Sequence, residues 1–135
     1  MTVKKTVLLK SRPQMLQKPL EKCHGGNGTV DWVGVLGGED LEGRLVNFIH
    51  DDVLPPGVSI GLHKHTKDEE YYYIVSGGGT MTLNDQRVEV AAGDITAVFP
   101  GGMHALENTG SDDLRVIVIS VSADTPNKPT GGGFQ

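Results

Sequence analysis

The chain has 135 residues, a length typical of one domain that buries a core without disulfides. Cys23 is its single cysteine, which excludes an intramolecular disulfide or a thiolate metal cluster and leaves nitrogen and oxygen as metal ligands. The net charge of −5 divides into +5 on residues 1–22 and −10 on the remainder, and so acidic a body argues against nucleic acid as a partner.

The N-terminal region is basic, and a stretch without a strand pattern separates its two apolar segments. Its longest apolar run is Val7–Leu9, too short for a signal peptide or a membrane span, so we expect a cytoplasmic protein without a membrane partner. Val3–Leu9 and Val30–Leu36 are predicted as additional strands, separated by the Pro-, Lys- and Gly-containing stretch Ser11–Gly28. We interpret residues 1–40 as an arm that packs on an acidic body, its own or that of a partner.

Residues 41–123 have the pattern of an all-β barrel, with short apolar or alternating runs separated by Gly, Pro, Asn and Asp. Residues 124–135 contain two prolines and a run of three glycines, which predicts a flexible C-terminal tail. Eight strands suffice for a closed double sheet. The predicted strands are Leu45–Val53, Ser59–His65, Glu70–Ser76, Gly79–Leu83, Gln86–Val90, Ile95–Phe99, His104–Asn108 and Leu114–Val121.

The turns between these strands contain residues that end a ladder. Pro55-Pro56-Gly57 cannot continue one, Asn84-Asp85 suits a tight hairpin, and Gly77 permits a positive φ. We therefore expect the strands to be joined by hairpins rather than crossovers.

Four residues have the spacing of a metal site. His63 and His65 are two apart, which on a strand places both rings on one face about 6.6 Å apart. The polar segment before Glu70 is predicted to be hairpin-like and to bring that carboxylate alongside. His104 begins a later strand. Glu69 is the rival ligand, but strand parity points it away if Glu70 faces the metal.

Three imidazoles and one carboxylate suit a single divalent transition metal per chain, which can be Fe, Mn, Ni, Co or Zn. Such a set leaves coordination positions for water and substrate, so we expect a small-molecule ligand and no organic cofactor.

Two further residues are candidates for catalysis. Tyr72 shares the face of Glu70, where its hydroxyl can donate to an oxyanion or act as a general acid. His50 shares the parity of Phe48, which favours the core or the rim of a pocket, whereas Asn47 lies on the opposite face. His24 has no such support and is interpreted as a loop residue.

Tyr71 and Tyr73 are predicted to face outward, into a subunit contact. Small double-sheet barrels have open sheet edges that the basic arm can cover by strand exchange, so we expect a homodimer.

These motifs resemble the cupin superfamily. The spacing Gly57-x5-His63-x-His65-x4-Glu70-x6-Gly77 matches the first cupin motif without a break. Gly93, Gly101, His104 and Asn108 match the second, although Phe99 occupies the usual proline position and Pro100 follows it. The resemblance implies a small single-domain cupin: an all-β double-stranded β-helix, or jelly-roll, barrel with an N-terminal arm.

The resemblance leaves the reaction open. The leading hypothesis is a metal-dependent enzyme, a lyase or decarboxylase or a dioxygenase, that acts on a small carboxylate, hydroxy or enediol substrate by decarboxylation, dioxygenation, elimination or isomerisation. The pattern is most similar to oxalate decarboxylase-like cupins. The alternative is a non-catalytic metal-containing module that binds or senses a small molecule, and it gains if neither Tyr72 nor His50 faces the cavity.

Overall fold

The computed structural model describes residues 5–128, and within them ten strands form two antiparallel sheets. The six-stranded sheet has the order β1-β2-β3-β10-β5-β8, and the four-stranded sheet has the order β4-β9-β6-β7. The strands are β1 Leu16–Glu21, β2 Thr29–Leu36, β3 Val46–Leu54, β4 Ser59–Lys64, β5 Asp68–Ser76, β6 Gly78–Leu83, β7 Gln86–Ala91, β8 Ile95–Val98, β9 Met103–Glu107 and β10 Leu114–Ser122. Short 3-10 turns lie at Arg12–Gln14, Cys23–Gly25 and Gly38–Leu41.

The hydrophobic core lies between the two sheets, because alternate residues of each strand point inward. In β10 these are Leu114, Val116 and Val118, and the same row continues with Ser120, which is also buried. Full burial of each such aliphatic side chain contributes about 1.5–3 kcal/mol. The inward row of β5 likewise includes the polar Glu70 beside the apolar Tyr72 and Ile74. The barrel interior is therefore mostly apolar, with buried polar side chains at the end where Glu70 and Ser120 lie and at His50 and Asp52 in the inward row of β3.

The opposite end of the barrel is closed by Asn108, which is 1% exposed. Its amide nitrogen donates to the carbonyls of Leu54 and Asp112, both at 2.8 Å, and its Oδ1 accepts from the Gly110 nitrogen at 2.9 Å. One side chain thus satisfies three backbone groups, one at the end of β3 and two in the loop between β9 and β10, which explains why an asparagine stands at this position of the second motif.

The N-terminal arm is tied to the acidic face of the same chain. Arg12 Nη1 lies 2.8 Å from Asp51 Oδ2, where Arg115 Nη2 also binds at 2.7 Å. Lys10 Nζ lies 2.7 Å from Asp40 Oδ2. Arg12 thus joins the arm to Asp51 of the barrel, whereas the Lys10–Asp40 pair lies within residues 1–40.

The predicted all-β jelly-roll barrel with an N-terminal arm is confirmed, and each of the eight barrel strands is found with its ends within two residues of the prediction. Val30–Leu36 is confirmed as β2. Strand β1 was not predicted, because Pro19 breaks the pattern of a ladder strand; β1 tolerates it as an edge strand. Residues 5–9 form no strand, and the start of Val3–Leu9 lies outside the described residues, as do residues 129–135 of the predicted tail.

The prediction of hairpin connections is wrong for most of the barrel. Among the eight predicted strands of residues 41–123, only β6 and β7 are joined as a hairpin, across Asn84-Asp85. The other connections cross from one sheet to the other, including the segment between β4 and β5 that was expected to be hairpin-like. Turn residues show where a strand ends, but they do not show which sheet the next strand joins. Within residues 5–128 no helix has the length and hydropathy needed to cross a bilayer.

Candidate metal centre

Four side chains converge at the polar end of the barrel: His63 and His65 at the end of β4, Glu70 in β5 and His104 in β9. Their ligand atoms all lie within 4.8 Å of one another. His104 Nε2 is at the centre of the group, 3.2 Å from His63 Nε2, 3.1 Å from His65 Nε2 and 3.0 Å from Glu70 Oε1. The structure thus brings together all four of the predicted ligand residues.

The topology explains this convergence. His63 and His104 are directly paired across β4 and β9, after a register shift between Ile60 and His63. His65 follows β4 and is held by backbone hydrogen bonds to the turn at Gly101 and Gly102, at 2.7 and 3.0 Å.

Glu70 reaches the three rings from the opposite sheet rather than from a neighbouring strand. Glu69 points outward and accepts a 2.6 Å hydrogen bond from the Tyr71 hydroxyl. The parity argument for Glu70 over Glu69 therefore agrees with the structure.

The outer nitrogens of two rings are already occupied. His63 Nδ1 lies 2.7 Å from the Gly61 carbonyl, so it is the protonated donor of that ring. His65 Nδ1 lies 2.8 Å from Asp68 Oδ1. Both contacts leave Nε2 free of its proton in the neutral ring and directed at the centre, which is the form that binds a metal.

Asp68 continues into a hydrogen-bonded chain across three strands. Its Oδ2 accepts from the Ser120 hydroxyl at 2.6 Å, and Ser120 Oγ accepts from Asn47 Nδ2 at 3.0 Å. Asn47 was expected to face the other side of β3. A register shift in β10 between Ser120 and Val121 lies opposite this position, and such bulges re-aim side chains at barrel rims.

The electrostatics of the group favour a cation. Burial alone would raise the pKa of Glu70, but the nearby rings of His104, His63 and His65 outweigh it and hold that pKa well below its usual range. Burial would lower the pKa of His65, but hydrogen bonds to Asp68 and Glu70 raise it to about 9. Without a metal, the carboxylate of Glu70 is therefore paired with a protonated His65, and a bound cation would take the place of that proton.

The residues fit a divalent transition metal. Ligand atoms about 2.0–2.2 Å from an ion lie roughly 3.0–3.5 Å apart when they are neighbours in its shell. The Nε2 and Oε1 contacts of His104 span 3.0–3.2 Å, and three imidazole nitrogens with one carboxylate oxygen form a borderline-hard donor set. His63, His65, Glu70 and His104 are therefore the residues that would hold the ion.

A cavity of about 630 Å³ opens from this cluster to the surface. His63, His65 and Glu70 lie at its inner end, and Ser120, Asn47 and Phe48 of the six-stranded sheet form one wall. Three exposed lysines, Lys64, Lys67 and Lys128, line it further out. A cavity with a carboxylate at its base and lysines on its walls can hold a small anion when a cation is bound below it.

The structure also places His24 on the wall of this cavity. Its ring is stacked on the ring of His63, with centroids 3.7 Å apart and planes within 8°. Sequence analysis missed this residue because it lies far from both motifs, in a glycine-containing loop whose path no periodicity indicates.

Tyr72 and His50 lie in the core, and neither is among the described residues that line the cavity. The ring of Tyr72 packs 4.6 Å from that of His104; burial, the charges of Glu70 and Asp52, and a hydrogen bond to Glu70 raise its pKa well above the usual value. His50 packs against Phe48 and Trp32, and burial lowers its pKa to about 4. Both residues are therefore neutral at physiological pH, and their catalytic roles stay predictions.

Comparison with known proteins gives a consistent pattern. The model of the Cupin_2 family, described as a cupin domain, matches residues 51–120. An oxalate-binding protein of Thermotoga maritima is 35% identical over 102 residues, which cover 76% of this chain and 84% of that protein. An uncharacterised protein of Methanocaldococcus jannaschii is 40% identical over 68 residues, which cover 50% of this chain and 54% of that protein.

Among solved structures, a predicted oxalate decarboxylase from Thermotoga maritima superposes with a TM-score of 0.77 and 30% identity, covering 85% of this chain and 99% of that one. The structure of KdgF from a Halomonas species has a TM-score of 0.66 at 17% identity, covering 88% of this chain and 97% of that one. At this identity the similarity supports a shared fold and nothing further.

Proposed function

The chain belongs to the cupin domain family, and on that premise we propose that it is a metal-dependent enzyme acting on a small carboxylate. The observation that carries the proposal is the convergence of three imidazoles and one carboxylate at the base of an open cavity. A structural metal would instead be closed off by its ligands. The names of the similar Thermotoga proteins, oxalate-binding and predicted oxalate decarboxylase, support a short dicarboxylate as substrate.

A bound divalent ion supplies a Lewis acid that stabilises negative charge on a substrate oxygen. The residues of the chain prepare the site for this role. Glu70 stays ionised, and Gly61 and Asp68 fix the tautomers of His63 and His65. Lys64, Lys67 and Lys128 attract an anionic substrate into the cavity. The reaction we propose is decarboxylation, after the predicted oxalate decarboxylase to which the chain is similar.

A second candidate function is binding or sensing of the same ligand without turnover. It is favoured by the burial of Tyr72 and His50 away from the cavity, because neither proton donor predicted from the sequence contacts a ligand held there. The two candidates share the metal and the ligand, and they differ only in whether the ligand is transformed.

Metal analysis of protein purified without chelator tests the shared part of the proposal. We expect about one divalent ion per chain in the wild type and none in the double variant His63→Ala with His104→Ala. Lys64→Ala, which changes an exposed residue between two proposed ligands, should retain the ion. Retention of the ion by the double variant would contradict the site.

Product analysis separates enzyme from binding module. The metal-loaded protein is incubated with oxalate, aerobically and anaerobically, and the acid and its products are quantified by NMR and by release of carbon dioxide. Consumption of the acid supports the enzyme, whereas stable binding without consumption supports the second candidate.

We further propose a homodimer. The outer face of the six-stranded sheet exposes Tyr73, Ile95 and Phe99, and the arm exposes Val7 and Leu9. Apolar patches of this kind are commonly covered by a partner. Strand β8 is also an open sheet edge.

A further inference from the structure

The loop between β1 and β2 brings one side chain of the arm to the metal cavity. His24 is half-buried, lines the cavity and stacks on His63 with centroids 3.7 Å apart. It precedes the segment matched by the cupin family model, residues 51–120, so it lies outside the two motifs that supply the four-residue cluster.

The backbone that carries His24 is in an unusual conformation. Lys22, His24 and Gly25 all have positive φ, at 49°, 51° and 78°. A left-handed conformation is uncommon for residues other than glycine and is unfavourable by about 1–2 kcal/mol per residue. Lys22 has the same conformation outside the cavity lining, so the conformation belongs to the loop as a whole, and at position 24 it sets the direction of the ring.

The loop is also held tightly against β4. A Cβ atom on Gly26 would lie 2.2 Å from the Ser59 carbonyl oxygen, and one on Gly61 would lie 2.1 Å from the carbonyl oxygen of His24 itself. A backbone hydrogen bond of 2.9 Å joins the Ser59 nitrogen to the Asn27 carbonyl. The position of His24 is therefore determined by backbone contacts and does not depend on its own ring.

We propose that His24 is a ligand-contacting residue that hydrogen-bonds a carboxylate held at the metal, an inference that rests on the proposed function. Three observations support it: the ring lies on the cavity wall, it stacks on a proposed metal ligand, and backbone contacts with β4 hold its loop in place. An imidazole has two nitrogens, so one edge of the ring can engage a ligand while its face stays on His63. The arm would thus contribute to ligand recognition in addition to packing on the barrel.

The rival interpretation is that His24 only packs on His63 and keeps that ring oriented for the metal. The two interpretations differ in what removal of the ring does. A ligand contact changes affinity for the acid at unchanged metal content, whereas a packing role changes metal retention.

The test compares four proteins: the wild type, His24→Gly, His24→Asn and Lys22→Gly. Glycine and asparagine both tolerate the left-handed backbone, so at least one His24 variant should keep the loop intact. Lys22→Gly is the matched control. Lys22 also has a positive φ, but its side chain is exposed and does not line the cavity. Each protein is loaded with Mn²⁺, its metal content is measured, and oxalate, glycolate and pyruvate are titrated by calorimetry.

We expect all four proteins to hold about one metal per chain and to melt within a few degrees of one another. The wild type and Lys22→Gly should bind at least one acid equally, and both His24 variants should bind it about tenfold more weakly, the effect of one lost hydrogen bond.

Equal affinity in all four proteins overturns the inference about His24 and leaves the proposed function standing. Loss of metal from the His24 variants alone overturns it in favour of the packing role. A wild type that takes up Mn²⁺ but binds none of the acids, or that takes up no metal, overturns the proposed function and the His24 inference together.

Discussion

The carboxylate of Asp68 links the proposed metal ligand His65 to the opposite wall of the cavity: its Oδ1 lies 2.8 Å from His65 Nδ1, and its Oδ2 accepts from Ser120 at 2.6 Å. Such partners orient a ligand ring and increase its basicity, and their removal weakens metal affinity about 10- to 100-fold. We expect Asp68→Ala to have this effect in competition with a chromogenic chelator. Glu69→Gln is the control, since that carboxylate faces outward and bonds Tyr71. Unchanged affinity in Asp68→Ala would remove Asp68 from the site.

Tyr72→Phe separates two roles for the tyrosine. If the hydroxyl is the general acid predicted from the sequence, its removal should lower turnover about 10²- to 10⁴-fold. Tyr72 does not line the cavity: its ring packs on His104 and its hydroxyl is hydrogen-bonded to Glu70, which favours a role in positioning Glu70. We therefore expect a loss of metal affinity of about 2- to 12-fold, with acid binding per bound metal unchanged. A large loss of turnover at full metal occupancy would favour the general acid.

Asp51 should make folding stability depend on pH on the acid side. Hydrogen bonds from Arg115 lower the pKa of Asp51 in the folded protein. Burial acts in the opposite direction, and a hydrogen bond from Arg12 lowers the pKa further. A lowered folded pKa contributes stability that is fully present above the unfolded value of about 3.9 and is lost as pH falls through the folded value.

We expect Asp51→Asn to reduce the free energy of unfolding by about 1.5–3 kcal/mol at pH 7, where charged hydrogen bonds are lost. The difference from the wild type should shrink below about pH 4. Denaturant melts of both metal-free proteins from pH 7 to pH 3 measure this, and the comparison cancels the titration of other groups. A difference as large at pH 3 as at pH 7 would show that Asp51 is not the titrating group.

The proposed dimer can be tested on the outer sheet face. Light scattering of the wild type at micromolar concentration should give twice the mass of the chain. Ile95→Lys places a charge on an exposed residue of the edge strand β8 and should shift the protein toward monomer. Lys64→Ala, on the other sheet, is the control and should leave the mass unchanged. A monomeric wild type would contradict the proposal.

The barrel strands and the four clustered residues could be predicted because both depend on local spacing. Alternation along a strand determines which residues share a face, and this was enough to place Glu70 and Tyr72 inside and Tyr71 outside. The spacing within each of the two motifs identified His63 and His104, which the structure shows as a directly paired position of β4 and β9.

The features that were missed depend on contacts between distant segments. His24 reaches the cavity because Gly26 and Gly61 let two backbones meet, and no pattern within residues 22–28 indicates that contact. Asn47 turns toward Ser120 opposite a register shift in another strand. Strand β1 is stabilised by pairing with β2 in spite of Pro19. In each case the deciding partner lies elsewhere in the chain, so local propensity and periodicity carry no signal for it.

The close approach of Gly26 and Gly61 limits how this protein can be recombined with its relatives. The arm supplies one glycine and the barrel supplies the other, and either Cβ would collide with a carbonyl oxygen of the opposite segment. A chimera that joins this barrel to a foreign arm, or this arm to a foreign barrel, should seat its loop only if the incoming partner also has glycine at that contact. The arm and the barrel should therefore be transferred together when chimeras are made from this protein and its relatives. The junction with the foreign sequence should not separate the arm from the barrel.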